Sequence, residues 1–130
     1  MTVGPTHAAP APPPALRLAI AQPPMAWTTA ENTDTALAML SAAAAVGAAL
    51  CVFPELMVTG FHRRIAQEAR PEVVGPALQR IAQACADHRI AASVGAPCFG
   101  TDGAILNSQL LFDSGGQLVA TTDKRGLTAP

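Results

Sequence analysis

The chain has 130 residues, half of them hydrophobic and 13% charged, which is enough apolar material for one core and argues against global disorder. Eight basic and nine acidic residues leave a formal net charge of −1, without the basic patch that nucleic acid or an anionic membrane surface would require. Three irregularly spaced cysteines, Cys51, Cys85 and Cys98, exclude a disulfide framework and a zinc ribbon, and their odd number suits a reducing, cytoplasmic setting.

Residues 1–15 hold five of the twelve prolines among Ala, Gly and Thr. They lack the basic start and apolar run of a secretory signal, and are expected to form a poorly ordered tail ahead of a domain over residues 16–130. Residues 16–22 (LRLAIAQ) form a short apolar run ended by Pro23-Pro24, which predicts a buried strand. Thr28 followed by Glu31 has the spacing of a capping box, and Ala36, Leu37, Leu40 and Ala44 continue at helical spacing toward a stop at Gly47. Residues 49–53 (ALCVF) predict a second strand, stopped by Pro54. The uncharged stretch 37–53 is shorter than the ~20 residues of a membrane span and reads as a helix running into that strand.

A second helix is predicted over residues 76–88, with Leu78, Ile81, Ala82 and Cys85 on one face and Pro76 in its first turn. A third strand follows at 90–96, a turn at Thr101-Asp102-Gly103, and a fourth strand at 105–112. The Asp113-Ser114-Gly115-Gly116 hairpin then leads to a partner strand at 117–123. Helix-linked strands followed by a hairpin predict an α/β fold with a mixed sheet.

In open α/β sheets, ligands gather beyond the carboxyl ends of the strands. A nucleotide-binding module would need a glycine-rich turn after the first strand, and Pro23-Pro24-Met25-Ala26-Trp27 stands there instead. The second strand runs into Pro54-Glu55 and then Thr59-Gly60-Phe61. By position alone Glu55 is a solvated acid past a strand end. Its sharper reading is a general base whose pKa is raised by partial burial.

The string Cys51-Val-Phe-Pro-Glu55-Leu-Met-Val-Thr-Gly-Phe61 resembles the segment that carries the catalytic glutamate of the nitrilase superfamily of carbon–nitrogen hydrolases. Ala21-Gln22 is similar to the end of that family's opening strand, and Asn32 falls where its first helix begins. Gly95 matches a glycine after the third strand, and Asn107 matches an asparagine before the hairpin. Thr122-Asp123-Lys124-Arg125-Gly126-Leu127 resembles the segment of the catalytic lysine, although Asp123 and Gly126 depart from residues frequent there. The resemblance implies part of an α-β-β-α sandwich and hydrolysis of non-peptide C–N bonds, with a small amide or nitrile as substrate. It implies Glu55 as general base, Lys124 as oxyanion stabiliser, and neither metal nor organic cofactor.

The resemblance places the nucleophilic cysteine after the lysine. None of Cys51, Cys85 and Cys98 takes that place, so the sequence is expected to be the N-terminal half of such a domain and inactive by itself. An unmatched sheet face would favour association, with homo-oligomers implied by the family. Two other readings are a non-catalytic half-domain that pairs with a second chain, and an unrelated α/β module that binds a small molecule. Trp27 and Phe61 are expected in the core, and His62-Arg63-Arg64 as a solvated loop cluster.

Overall fold

The computed structural model describes residues 1–126. Eight elements follow in order: β1 (Leu18–Ile20), α1 (Thr29–Ala45), β2 (Leu50–Val52), α2 (Ile65–Glu68), α3 (Pro71–His88), β3 (Ala91–Phe99), β4 (Ile105–Phe112) and β5 (Leu118–Asp123). They build one mixed sheet in the order β1-β2-β3-β4-β5. β1, β2 and β3 pair in parallel, whereas β3–β4 and β4–β5 are antiparallel. The α/β expectation holds, and residues 1–17 carry no helix or strand.

Local chemistry explains most of the boundaries. Thr28 is the N-cap of α1, its hydroxyl accepting from the Glu31 N–H at 3.3 Å. Only half of the expected capping box forms, because that hydroxyl also donates to the Glu31 carboxylate at 2.6 Å. Gly47 ends the helix at φ +77°. Its N–H bonds to Ala44 and that of Ala48 to Ala43, satisfying carbonyls that the helix end leaves free. α3 starts at Pro71, not Pro76, with Arg70 as N-cap. Pro76 therefore lies inside the helix, where its missing N–H costs a backbone hydrogen bond. The short α2 was not expected, since four residues without a capping side chain leave no periodic signal.

β3 runs three residues past its expected end, through Pro97 and Cys98 to Phe99. β2 pairs only with Ala91, Ala92 and Ser93, so beyond Ser93 the strand has β4 as its partner. A proline is tolerated in such an edge position.

The helices α1 and α3 pack side by side on one face of the sheet. Ala36 and Leu40 of α1 meet Val74, Ala77 and Ile81 of α3, with Cys51, Ala92, Val94, Ala96, Leu110 and Phe112 from the sheet completing the core. Because side chains alternate along a strand, the residues between these point to the opposite face. That face is open: Leu18 and Ile20 are 49% and 68% exposed. Glu55, Asn107, Gln109 and Lys124 are also gathered on this side. No helix among the described residues is long and apolar enough to cross a membrane.

Candidate active site

The site forms where the turn after β2 lies across the middle of β3. Phe53 donates its N–H to Ser93 and Val58 to Gly95, at 2.8 and 3.1 Å, so the turn is anchored to β3 on both sides of Glu55. A Cβ on Gly95 would stand 2.4 Å from the Pro54 oxygen and 2.5 Å from the Leu56 nitrogen. Only a glycine lets the two backbones approach this closely. It lies inside β3 rather than after it. Within the turn, Leu56 adopts φ +51°, and the Gly60 N–H closes back on the Leu56 carbonyl at 2.8 Å.

β4 supplies the second wall. Gln109 donates to the Phe53 carbonyl at 3.2 Å and to the Ser93 hydroxyl at 2.9 Å, tying β4 to the end of β2. Asn107, two residues earlier and therefore on the same face, donates to Glu55 Oε1 at 2.5 Å. Lys124, just past β5, donates through Nζ to the same oxygen at 2.9 Å. The Lys124 backbone N–H bonds to the Asn107 carbonyl at 2.8 Å. Glu55, Asn107, Gln109, Thr122 and Lys124 line one open cleft of about 330 Å³.

Glu55 is exposed, which corrects the expectation of a carboxyl with a raised pKa. The Lys124 hydrogen bond, then that of Asn107, then the charge of Lys124 lower its pKa below the usual value of 4.5, and desolvation, which acts to raise it, is the smallest effect. The expected burial does not occur because the turn lies on the uncovered face of the sheet. Glu55 is consequently a carboxylate at neutral pH. Asp123, the departure beside Lys124, is occupied elsewhere: its carboxylate accepts the Ser108 hydroxyl at 2.7 Å. Strand alternation turns it away from the face that Lys124 shares with Glu55.

None of the three cysteines reaches this arrangement. Cys51 and Cys85 belong to the core beneath the helices, and burial raises both thiol pKa values, that of Cys85 to about 11. Cys98 lies within β3 opposite Leu106, not after the strand as expected. Alternation puts it on the face of Ala96 and Val94, opposite to that of Asn107.

The two expected core aromatics are both exposed, Trp27 at 45% and Phe61 at 77%. Trp27 packs on the His62 ring at 4.9 Å between centroids, and the Arg63 and Arg64 guanidiniums lie 5.6 and 5.4 Å from its centre. The two arginines of the basic cluster stay exposed, as expected, and their guanidiniums also lie against the indole. Asn32, at the start of α1, is buried and brackets Ala26, accepting from its N–H and donating to its carbonyl. Glu68 of α2 accepts the Thr29 N–H at 2.6 Å and so caps α1 from a distant point in the chain. Sequence reasoning missed Glu68 and Gln109. Gln109 had a usable signal, since it shares a strand face with Asn107 at a spacing of two; Glu68 had none.

The sequence pattern described as Carbon-nitrogen hydrolase matches residues 17–130. The chain belongs to the carbon–nitrogen hydrolase family. No curated protein matches the sequence. Among solved structures, an amidase from Nesterenkonia sp. superimposes with a TM-score of 0.78 at 26% identity, covering 88% of this chain and 44% of that one. Two further structures of the Nesterenkonia sp. AN1 amidase give the same TM-score of 0.78: a variant with butyramide at 26% identity, and a double variant with acrylamide at 25%. The butyramide and acrylamide complexes each cover 88% of this chain and 45% of that amidase. This carbon–nitrogen hydrolase chain therefore spans a little under half the length of the amidases it matches.

Proposed function

We propose that this chain supplies the base and the oxyanion-stabilising cation of a cysteine-dependent hydrolase of small amides or nitriles. The observation that carries this reading is the Glu55–Lys124 pair on the open sheet face, held at 2.9 Å and tied together by Asn107. Glu55, ionised at neutral pH, is suited to take the proton of a thiol. The thiolate attacks the amide carbon, and the Lys124 ammonium offers its remaining N–H donors to the negative oxygen that forms. Collapse of that intermediate returns the Glu55 proton to the departing ammonia and leaves a thioester. Water then attacks, giving its proton to Glu55, and the acid is released as the thiol is restored.

The nucleophile belongs to residues other than these, since Cys51 and Cys85 are core residues and Cys98 faces away from Asn107. Butyramide and acrylamide bound to the Nesterenkonia amidase support a short aliphatic amide as substrate class. Residues 16–130 are then part of a domain completed by a cysteine-bearing strand, in the same polypeptide or in a second one.

The test is ammonia release from a panel of short amides and nitriles by the purified chain, beside Glu55→Gln. No release is expected from either. Release that survives Glu55→Gln would overturn the assignment of the base. Release abolished by Glu55→Gln would place a nucleophile within these residues, and Cys98→Ser would then identify or exclude it.

A further inference from the structure

Asn107 is the one side chain that hydrogen-bonds to Glu55 besides Lys124 among the described residues. It makes two bonds of different kinds. Its side-chain amide donates to Glu55 Oε1, and its main-chain carbonyl receives the Lys124 N–H. Only the NH2 end of the amide can face a carboxylate, because the oxygen end would set two acceptors against each other. Oε1 therefore carries two donors, Asn107 Nδ2 and Lys124 Nζ, while Oε2 receives no hydrogen bond from the described residues. The residue itself is well held. Its neighbour Ser108 is fixed by Asp123 on the opposite face, and Gln109 grips Phe53 and Ser93 on the same face.

We infer that Asn107 is a positioning residue which fixes both members of the pair and, by occupying Oε1, leaves Oε2 as the oxygen that exchanges protons. This rests on the proposed role of Glu55 and deepens it. A carboxylate free to rotate would present either oxygen to the thiol and would break its bond to Lys124 on turning. With two donors on Oε1, turning the carboxylate breaks both bonds, and Oε2 is left without a donor among the described residues. A proton arriving at Oε2 does not displace either donor. The charged group that acts on Glu55 is Lys124, and Asp123, next to Lys124 in the chain, is held by Ser108.

The test is an NMR titration of the Glu55 carboxyl carbon in the native chain, Asn107→Ala, Asn107→Ser and Ser108→Ala, with Glu68 as internal reference. Loss of the Asn107 donor is expected to raise the Glu55 midpoint toward the ordinary 4.5. Glu68, held by Thr29 on the far side of the turn, is expected to stay where it is. Ser108→Ala is expected to leave Glu55 unmoved. A Glu55 midpoint unchanged in a folded Asn107 variant would overturn the inference. So would an equal rise in Ser108→Ala, which would signal general loosening. Asn107→Ser keeps a small polar group should the alanine variant fail to fold. Because the readout is a titration, the inference can fail while the hydrolase reading stands, and ammonia release decides the latter separately.

Discussion

At the scale of single residues, the site depends on contacts too close to admit an extra atom. Gly95→Ala would drive a methyl group into the Pro54–Leu56 backbone, which has no flexible end to yield. It is expected to cost about 1–3 kcal/mol in denaturant unfolding and to shift the Glu55 titration as the turn lifts. Acid should act on a second residue, Glu68. Its pKa is lowered, chiefly by the backbone hydrogen bond from Thr29. A carboxyl with a depressed folded pKa stabilises the fold fully above its unfolded value. That contribution fades as pH falls from about 4.5 through the lower folded value. Glu68→Gln, whose amide oxygen still accepts from Thr29, is expected to show a smaller loss of stability on acidification than the native chain. Urea midpoints compared at about pH 7 and about pH 3 check this. The exposed Glu55–Lys124 ion pair adds little to stability.

At the scale of elements, propensity and capping account for α1, and packing accounts for α3. Thr28→Ala removes the acceptor for the Glu31 N–H and should cost about 1 kcal/mol in thermal or denaturant unfolding. Pro76 works against its own helix. Pro76→Ala restores an N–H inside α3 and is expected to stabilise the chain by up to about 3 kcal/mol, seen as a higher urea midpoint. Strand β2 was legible as a short apolar run stopped by Pro54, and β4 because it lies between the turn at Thr101-Asp102-Gly103 and the hairpin at Asp113 to Gly116. The extension of β3 through Pro97 was not, since a proline ordinarily ends a strand and only the β4 partnership makes it harmless. The 71–75 start of α3 was equally hidden. Its Gly75-Pro76 pair reads as a boundary, whereas burial of Val74 and Ala77 holds the helix together across it.

At the scale of the molecule, one sheet face is covered by two helices and the other is not. Leu18 and Ile20 stand exposed on the open face, while Leu118 and Val119 are exposed on the edge strand β5, whose backbone lacks a neighbour on one side among the described residues. Exposed apolar surface beside an open edge favours association. Sedimentation velocity is expected to show concentration-dependent self-association of the chain alone. A dilute monomer that melts cooperatively would count against it.

The sequence by itself carried the family and the order of every element but α2, and it singled out Glu55, Asn107 and Lys124 as candidates, because each sits in a local motif read at fixed spacing. Only the tertiary structure decided how they act together. Glu55 and Lys124 are separated by most of the chain, and no local pattern shows that both bond to one oxygen. The sign of the Glu55 pKa change was likewise hidden, because it follows from which donors arrive and whether the turn is covered. The same holds for Trp27 and Phe61: hydrophobicity predicts burial, but the fold leaves both exposed beyond the strand ends.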